Sequence, residues 1–316
     1  MAYSTPEQLS FHPVAGHTIR ADFEGGALSS DFGVLLLRGI DRQIGLTARL
    51  AAAIHDTRHP SSIDHPLRDL VAQRLYHIAS GSADGNDANS LRRDPLLKLG
   101  VERSPLAPAQ DLASAPTFSR LAHSGDRKDL DRLTEALVAH FVASDPEPPA
   151  AIVLDLEHTD DPTHGPQALA FYNHYYQHDC SVPLLIFAGL SGALVTACLR
   201  PGTRPTGAEQ AMLLVRLLAF LRRHWPQTPI LVRGDSHVAT PEVIAVLAQR
   251  HRIDVVFGLA GKAVLLRHAE PVMQEARRLH QQRTALAQAH DTRPPASTRL
   301  YEECASAAAS WPSHGG

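Results

Sequence analysis

Two kinds of hydrophobic patterning divide the chain near its middle. In residues 27–82 the apolar positions recur three and four apart, which predicts amphipathic helices. Residues 83–126 are polar and predicted to be loop-like, and a further amphipathic helix is predicted over residues 129–144. The run DPEPP at residues 145–149 ends that helix, because proline cannot continue one. We therefore predict a mostly helical N-terminal domain, residues 1–149.

Beyond this linker the pattern changes to short apolar runs that are typical of strands. Three such runs, residues 151–157, 182–190 and 193–201, precede any long helix. Alternating helices and strands are then predicted over residues 208–226, 229–237, 240–252 and 254–260. The order is β-β-β-α-β-α-β. A doubly wound sheet would place a helix after nearly every strand, so this order predicts an α/β fold with a mixed sheet of the ribonuclease H type.

The composition of the chain limits the cellular compartment and the class of binding partner that we expect. The 316 residues are more than one compact domain usually needs, and 30 basic against 33 acidic residues give a formal charge of -3. This balance gives no global electrostatic reason to bind a polyanion, so a nucleic-acid partner would need local sites. Three widely spaced cysteines, Cys180, Cys198 and Cys304, argue against a disulfide framework and indicate a reducing cytoplasm.

We expect neither a secretion signal nor a membrane span. The N-terminus has no basic region followed by an apolar one. The most apolar window, residues 182–199, is interrupted by Gly189, Ser191 and Gly192, which favours two strands joined by a turn.

Carboxylates stand at the ends of two of the predicted strands. Asp155 and Glu157 end the first, and Asp235 ends the fourth. In a sheet of the predicted type these two strands are neighbours, and alternation puts Asp155 and Glu157 on one face. Either could then meet Asp235, and clustered carboxylates suit Mg²⁺ or Mn²⁺. The alternative is structural, since single aspartates at strand ends often form turns or cap helices.

Histidines in the same part of the chain raise the alternative of zinc. His174 and His178 are four residues apart, which is the spacing of two ligands on one helix face. No third ligand is indicated by spacing, and a solvated helix face also explains the pair.

An ordered succession of motifs resembles one family. LDLEHTDDPTHGPQ, FYNHYYQHDCSVPLLIF, LRPGTRPTGAE and WPQTPILVRGDSHVATPEV resemble the DDE transposases of the IS1380 family of bacterial insertion sequences. Upstream, DFGVLLLRGIDRQIGL, SADGNDANSLRRDPLLK and LASAPTFSRL extend the resemblance, which covers roughly residues 17–311.

The resemblance implies a nuclease with a ribonuclease H-like core. Such an enzyme binds the terminal inverted repeats of its element in double-stranded DNA, nicks them and transfers the 3′ ends, using two divalent metals, Mg²⁺ or Mn²⁺, held by Asp, Asp and Glu. It implies DNA-end binding by residues 1–149, a partial catalytic core in residues 150–262 and the start of an insertion region in residues 263–316. A homo-oligomer of the complete protein, acting at the bacterial nucleoid, is also implied.

The sequence departs from the family pattern twice. The family has aspartate where Glu157 stands, in an Asp-x-Asp-x-Thr pattern, so the first ligand is either Asp155 or Glu157. The third acid belongs to a Tyr-x2-Arg-x3-Glu-x6-Lys signature, and Tyr301 lacks the arginine three places on. The tail follows the family only to Trp311 and Pro312. We therefore expect a truncated transposase without strand-transfer activity of its own.

Two alternatives to an active transposase stay open. A DNA-binding relic could use modest basic features, namely Arg92 and Arg93, Arg222 and Arg223, and Arg277 and Arg278. A phosphatase of the haloacid dehalogenase type would use Asp155 as nucleophile. A meander rather than a helix after the first motif, and Ala239 where a second acid would be useful, disfavour the phosphatase.

Overall fold

The computed structural model describes residues 9–21, 31–105, 107–145, 147–165, 167–259 and 261–303. The chain forms two compact units. The first takes in residues 1–149 and 158–203, and the second residues 150–157 and 204–316. The change of unit at residue 150 coincides with the predicted boundary, but residues 158–203, predicted as part of the core, are grouped with the first unit.

The first unit begins with a hairpin and continues with helices. In chain order the elements are β1 (Leu9–Val14), β2 (His17–Ala21), α1 (Gly33–Ile44), α2 (Leu46–Ala53), α3 (Leu67–Ala79), α4 (Ala88–Leu91), α5 (Pro95–Gly100), α6 (Ala115–Ser124) and α7 (Arg127–Ser144). Helices α1–α3 and α7 occupy the stretches with helical spacing of apolar residues. Val34 of α1, Tyr76 of α3 and Leu97 of α5 belong to one hydrophobic core cluster. Helix α7 ends directly before the proline-containing linker.

Helices α4–α6 lie in the stretch that was predicted to be loop-like, so that prediction was wrong here. The Asp94 carboxylate accepts hydrogen bonds from the backbone N–H groups of Leu96, at 2.8 Å, and Leu97, at 2.9 Å, and Pro95 occupies the first turn. Asp followed by Pro is a helix-start signal. Helix α5 therefore begins at its cap, and with six residues it is too short to show a periodic pattern. The β1–β2 hairpin was not predicted either.

Six strands follow the linker. They are β3 (Ile152–His158), β4 (Asp161–Pro162), β5 (Phe171–Asn173), β6 (His178–Ser181), β7 (Leu184–Ala188) and β8 (Ala193–Cys198). Strands β7 and β8 form the predicted antiparallel hairpin. Strands β4, β6 and β5 form a small antiparallel sheet in that order, which was not predicted because its short polar strands show no alternation. The histidines four residues apart, His174 and His178, therefore lie in a β-hairpin and not on a helix.

Gly202 lies against the backbone of the small sheet. A Cβ atom at this position would be 2.0 Å from the carbonyl oxygen of Cys180 and 2.7 Å from that of Phe171. Only glycine permits this approach. Among the described residues, Cys180 and Cys198 are buried and form no disulfide, while Cys304 and the family-like tail at residues 304–316 lie outside the described residues.

The second unit continues from β3 with alternating helices and strands. They are α8 (Gly207–His224), β9 (Ile230–Gly234), α9 (Pro241–Ala248), β10 (Ile253–Phe257) and α10 (Ala263–Ala289). Strand β9 pairs in parallel with β3 on one side and β10 on the other. The predicted adjacency of the first and fourth core strands, β3 and β9, is therefore confirmed. The 27-residue helix α10 was not predicted.

The main sheet contains both parallel and antiparallel pairs, which confirms the predicted mixed α/β sheet. Leaving the small sheet aside, the order β3, β7, β8, α8, β9, α9, β10 is the predicted one. Along β3, Ile152, Leu154 and Leu156 are buried and the intervening residues are more accessible, so one face of the strand packs on a core. Within the described ranges, no helix combines the length and apolar character needed to cross a membrane.

Candidate functional site

The carboxyl ends of β3 and β9 bring the predicted site residues to one edge of the parallel sheet. The register pairs Asp155 with Arg233 and Leu156 with Gly234. Continuing it by one residue puts Glu157 opposite Asp235. The buried positions of β3 alternate with Asp155 and Glu157, so these two acids share the face opposite to the core.

Asp155 forms an ion pair with Arg233. The guanidinium donates from Nε to Oδ1 and from Nη2 to Oδ2, both at 2.6 Å. This bidentate geometry is the strong form of a charge-assisted hydrogen bond. The hydrogen bonds from Arg233 hold the pKa of Asp155 below its ordinary value, and the same bonds raise the pKa of Arg233. The charge of Asp155 is thus balanced within the protein.

Glu157 has a different environment, although it is only two residues away. Its side chain is exposed, and it makes no hydrogen bond or ion pair among the residues that the structure describes. Both carboxylate oxygens are therefore accessible from solvent. A cation that approaches this edge of the sheet would meet Glu157 as an uncompensated charge.

Asp235 begins a turn that connects β9 to α9. Its carboxylate accepts from the backbone N–H of His237 at 2.9 Å, and its Oδ2 lies 3.0 Å from Nδ1 of the His237 ring. The buried Gln210 of α8 donates to the His237 carbonyl at 3.2 Å. Fully buried Val238 packs close to Gly234, where a Cβ atom would lie 3.0 Å from the valine side chain. These contacts fix the position of Asp235, whose side chain remains 62% exposed.

Glu157 and Asp235 are the two carboxylates that this edge of the sheet would offer to an oxygen-preferring cation. Mg²⁺ typically keeps several of its waters and takes one or two protein carboxylates together with substrate phosphates, and Glu157 with Asp235 fits this donor set. In the part of the chain that the structure describes, no group of three or more His, Cys, Asp or Glu side chains is arranged to hold a metal. The zinc alternative gains no support, since His178 instead contacts Asp160 at 3.0 Å.

Sequence reasoning missed the two partners of the carboxylates. Arg233 stands two residues before Asp235, and strand alternation could have put it on the face of Asp155 once the pairing of β3 with β9 was assumed. His237 stands two residues after Asp235, which is the spacing at which an aspartate accepts from the backbone in a turn. Both signals were present in the motif ILVRGDSH.

Comparison with known families identifies the family of the chain. Residues 11–315 match the family model described as "Transposase DDE domain group 1". The match spans nearly the whole chain. No curated protein gives a significant sequence match.

Solved structures of transposases resemble the chain at low sequence identity. The piggyBac transposase synaptic complex with hairpin DNA is 13% identical, with a TM-score of 0.37, over 74% of this chain and 51% of that chain. The chain therefore spans about half the length of the piggyBac transposase. The Mos1 mariner paired-end complex with Mn is 10% identical, with a TM-score of 0.25, over 72% of this chain and 78% of that chain. The Mos1 strand transfer complex is 12% identical, with a TM-score of 0.24, over 74% of this chain and 79% of that chain.

Proposed function

The chain belongs to the transposase family defined by the DDE domain of group 1, and from this we propose that it is the transposase of a bacterial insertion sequence of the IS1380 family. On this proposal the transposase binds the terminal inverted repeats of its element at the nucleoid, acts as a homo-oligomer, and cleaves and transfers DNA strands with Mg²⁺ or Mn²⁺. Because the third acid of the family signature was not found in the sequence, this chain by itself has no strand-transfer activity on the proposal. The core sheet is assigned to the ribonuclease H type, with parallel β3 and β9 as the support for that assignment.

The observation that carries the proposal is the register of β3 and β9. It puts two carboxylates from distant parts of the sequence, Glu157 and Asp235, at neighbouring strand ends. Without a cation they would repel each other. A divalent cation removes that repulsion and brings the charge that phosphodiester chemistry requires. The phosphatase alternative has no counterpart in the matched family.

We assign different roles to the two acids of the first motif. Glu157 is the metal ligand, because it is exposed and unpaired among the described residues and its register position is beside Asp235. Asp155 is a positioning residue, because Arg233 already holds both of its oxygens. The glutamate departs from the aspartate that the family usually has at this position.

On this assignment the protein's own groups hold and orient the acids. His237 and its backbone N–H fix the rotamer of Asp235. Arg233 ties β3 to β9 directly before the two carboxylates. The bound metal would activate the attacking oxygen and stabilise the leaving one.

The test is Mn²⁺ binding by the full chain, measured by isothermal titration calorimetry. We expect Glu157→Gln and Asp235→Asn each to weaken binding about ten-fold or more, which is a typical cost of losing a contact at a metal site. Asp155→Asn removes no ligand and should have a smaller effect. Asp254→Asn, in neighbouring β10, is the control and should have none.

Two results would change the proposal. If Asp155→Asn weakened Mn²⁺ binding more than Glu157→Gln, the roles of the two acids would be exchanged. If neither Glu157→Gln nor Asp235→Asn altered binding, the metal site would be ruled out, and retained binding to duplex DNA would then favour a non-catalytic DNA-binding protein.

A further inference from the structure

A pocket of about 170 Å³ lies among the helices of the first unit. It is lined by residues of α1, α2 and α3, the end of α5 and the segment after it, and charged side chains dominate the lining. The arginines among them are Arg38, Arg42, Arg68 and Arg103. Three acids, Asp41, Asp69 and Glu102, share the same pocket. Which of these charges are already paired decides what the pocket can bind.

Two of the acids already accept hydrogen bonds from other groups. Asp41 accepts from the backbone N–H of Thr47 at 2.8 Å and from its hydroxyl at 2.5 Å. Asp69 accepts from Nε and Nη2 of Arg103, at 3.1 and 2.9 Å. The four arginines of the lining outnumber its three acids by one, and Glu102 is the acid that forms ion pairs with Arg38 and Arg42.

Arg38 is buried without adequate acceptors. The residue is 3% exposed, and its buried Nε and Nη2 atoms have no hydrogen-bond partner among the described residues. Glu102 is 3.6 Å from Nη2, which is an ion-pair distance but too long for a hydrogen bond. Burial accordingly lowers the pKa of Arg38, because the charged form is poorly solvated. Buried charged donors left unpaired are costly, and an anion would relieve that cost.

Glu102 is shared between two guanidinium groups. Its Oε1 is also 3.6 Å from Nη1 of Arg42, so the single carboxylate forms a short hydrogen bond with neither arginine. Its backbone is left-handed, with φ of 64°, a conformation that favours glycine. The Glu102 side chain is 42% exposed, so its carboxylate is also in contact with solvent.

We infer that this pocket binds a phosphate group. Arg38 supplies buried donors, and the exposed Arg42 and Arg68 supply donors close to solvent. Guanidinium groups bind the oxygens of phosphate through paired, charge-assisted hydrogen bonds. The phosphate comes either from DNA, a source that rests on the proposed function, or from free phosphate in solution.

The first experiment measures the shift in thermal unfolding of the full chain by inorganic phosphate, against chloride at equal ionic strength. Changing Arg38 risks unfolding, so the test uses Arg42→Gln combined with Arg68→Gln. We expect phosphate affinity to fall at least about ten-fold in this double variant, as for the loss of a charge-assisted hydrogen bond. Glu102→Gln removes the competing carboxylate and should bind phosphate more tightly. Arg127→Gln, an exposed arginine of α7 outside the pocket, should bind like the parent.

Equal phosphate affinity in the parent and the double variant would overturn the inference. A second arm separates the two sources of phosphate by measuring binding to duplex DNA. If DNA supplies the phosphate, the double variant should bind every sequence less tightly, with a shallower dependence on salt. Lost phosphate binding with unchanged DNA binding would assign the pocket to free phosphate. If the parent protein binds phosphate but no DNA, the proposed function is wrong, whereas the inference that the pocket binds phosphate is retained.

Discussion

Asp155 and Glu157 show how neighbouring acids of the same strand face acquire different chemistry. Asp155 is paired with Arg233 through two hydrogen bonds of 2.6 Å, whereas Glu157 is exposed and has no partner among the described residues. The difference arises from strand register, which sets which residue of β9 lies beside each acid. At the scale of single residues, therefore, pairing decides which carboxylate is left for a ligand.

The ion pair predicts a pH-dependent contribution to stability. Arg233 lowers the pKa of Asp155 in the folded state. The ion pair therefore stabilises the fold at pH values above the pKa of aspartate in the unfolded chain, which is about 4. This stabilisation is lost as the pH falls through the lower pKa that Asp155 has in the folded protein. We expect Asp155→Asn to destabilise the protein by less than about 1 kcal/mol at pH 6, since the pair is partly exposed, and by almost nothing at pH 2. Urea unfolding at both pH values measures this, with Asp254→Asn as control. An equal loss of unfolding free energy in Asp155→Asn at both pH values would contradict this prediction.

At the scale of elements, periodicity specified the long helices and the buried strands but not the short ones. Helix α7 and strand β3 bury a continuous apolar face, and their patterns are visible in the sequence. Helix α5 instead depends on the Asp94 cap, and the small sheet of β4, β6 and β5 depends on the close approach of Gly202. Such contacts involve one or two residues each, so they leave no repeating pattern in the sequence.

Two glycines give opposite predictions for the same substitution. Gly202→Ala would place a methyl group against the carbonyls of Cys180 and Phe171, backbone atoms that cannot move cheaply, and should destabilise the protein by about 3 kcal/mol or more. Gly39→Ala lies in α1 with no atom within 4 Å of the new methyl, and should stabilise it by about 0.5–1 kcal/mol. Thermal unfolding of both variants tests the pair. A Gly202→Ala protein as stable as the parent would show that the small sheet is not packed as described.

At the scale of the whole molecule, the charge limits how the DNA binding that we propose could arise. A formal charge of -3 provides no general attraction to a polyanion, so this binding would have to come from local cationic groups such as those of the arginine-lined pocket. Because acidic and basic residues nearly balance, we do not expect a high nonspecific affinity for DNA. Contacts to phosphates would still release counterions from the DNA.

This gives a prediction for the dependence of DNA binding on salt. If about three phosphates are contacted, raising salt from 50 to 200 mM should weaken binding of duplex DNA by about 40-fold, from a slope of about 0.9 per phosphate. Fluorescence anisotropy with a labelled duplex across this range measures the slope. Binding that does not respond to salt would show that phosphates contribute little, and would also argue against a DNA source for the phosphate in the pocket.

The sequence by itself determined the order of the core elements, the helical character of the first stretch, and the positions of Asp155 and Glu157 on the first core strand and of Asp235 directly after the fourth. These follow from local patterns, because burial of one face imposes a fixed spacing on apolar residues. Only the tertiary structure decided that Arg233, 78 residues from Asp155, neutralises it, and that Arg38 is buried against a single distant carboxylate. Such pairings depend on register and helix packing, which bring together side chains that no local pattern connects.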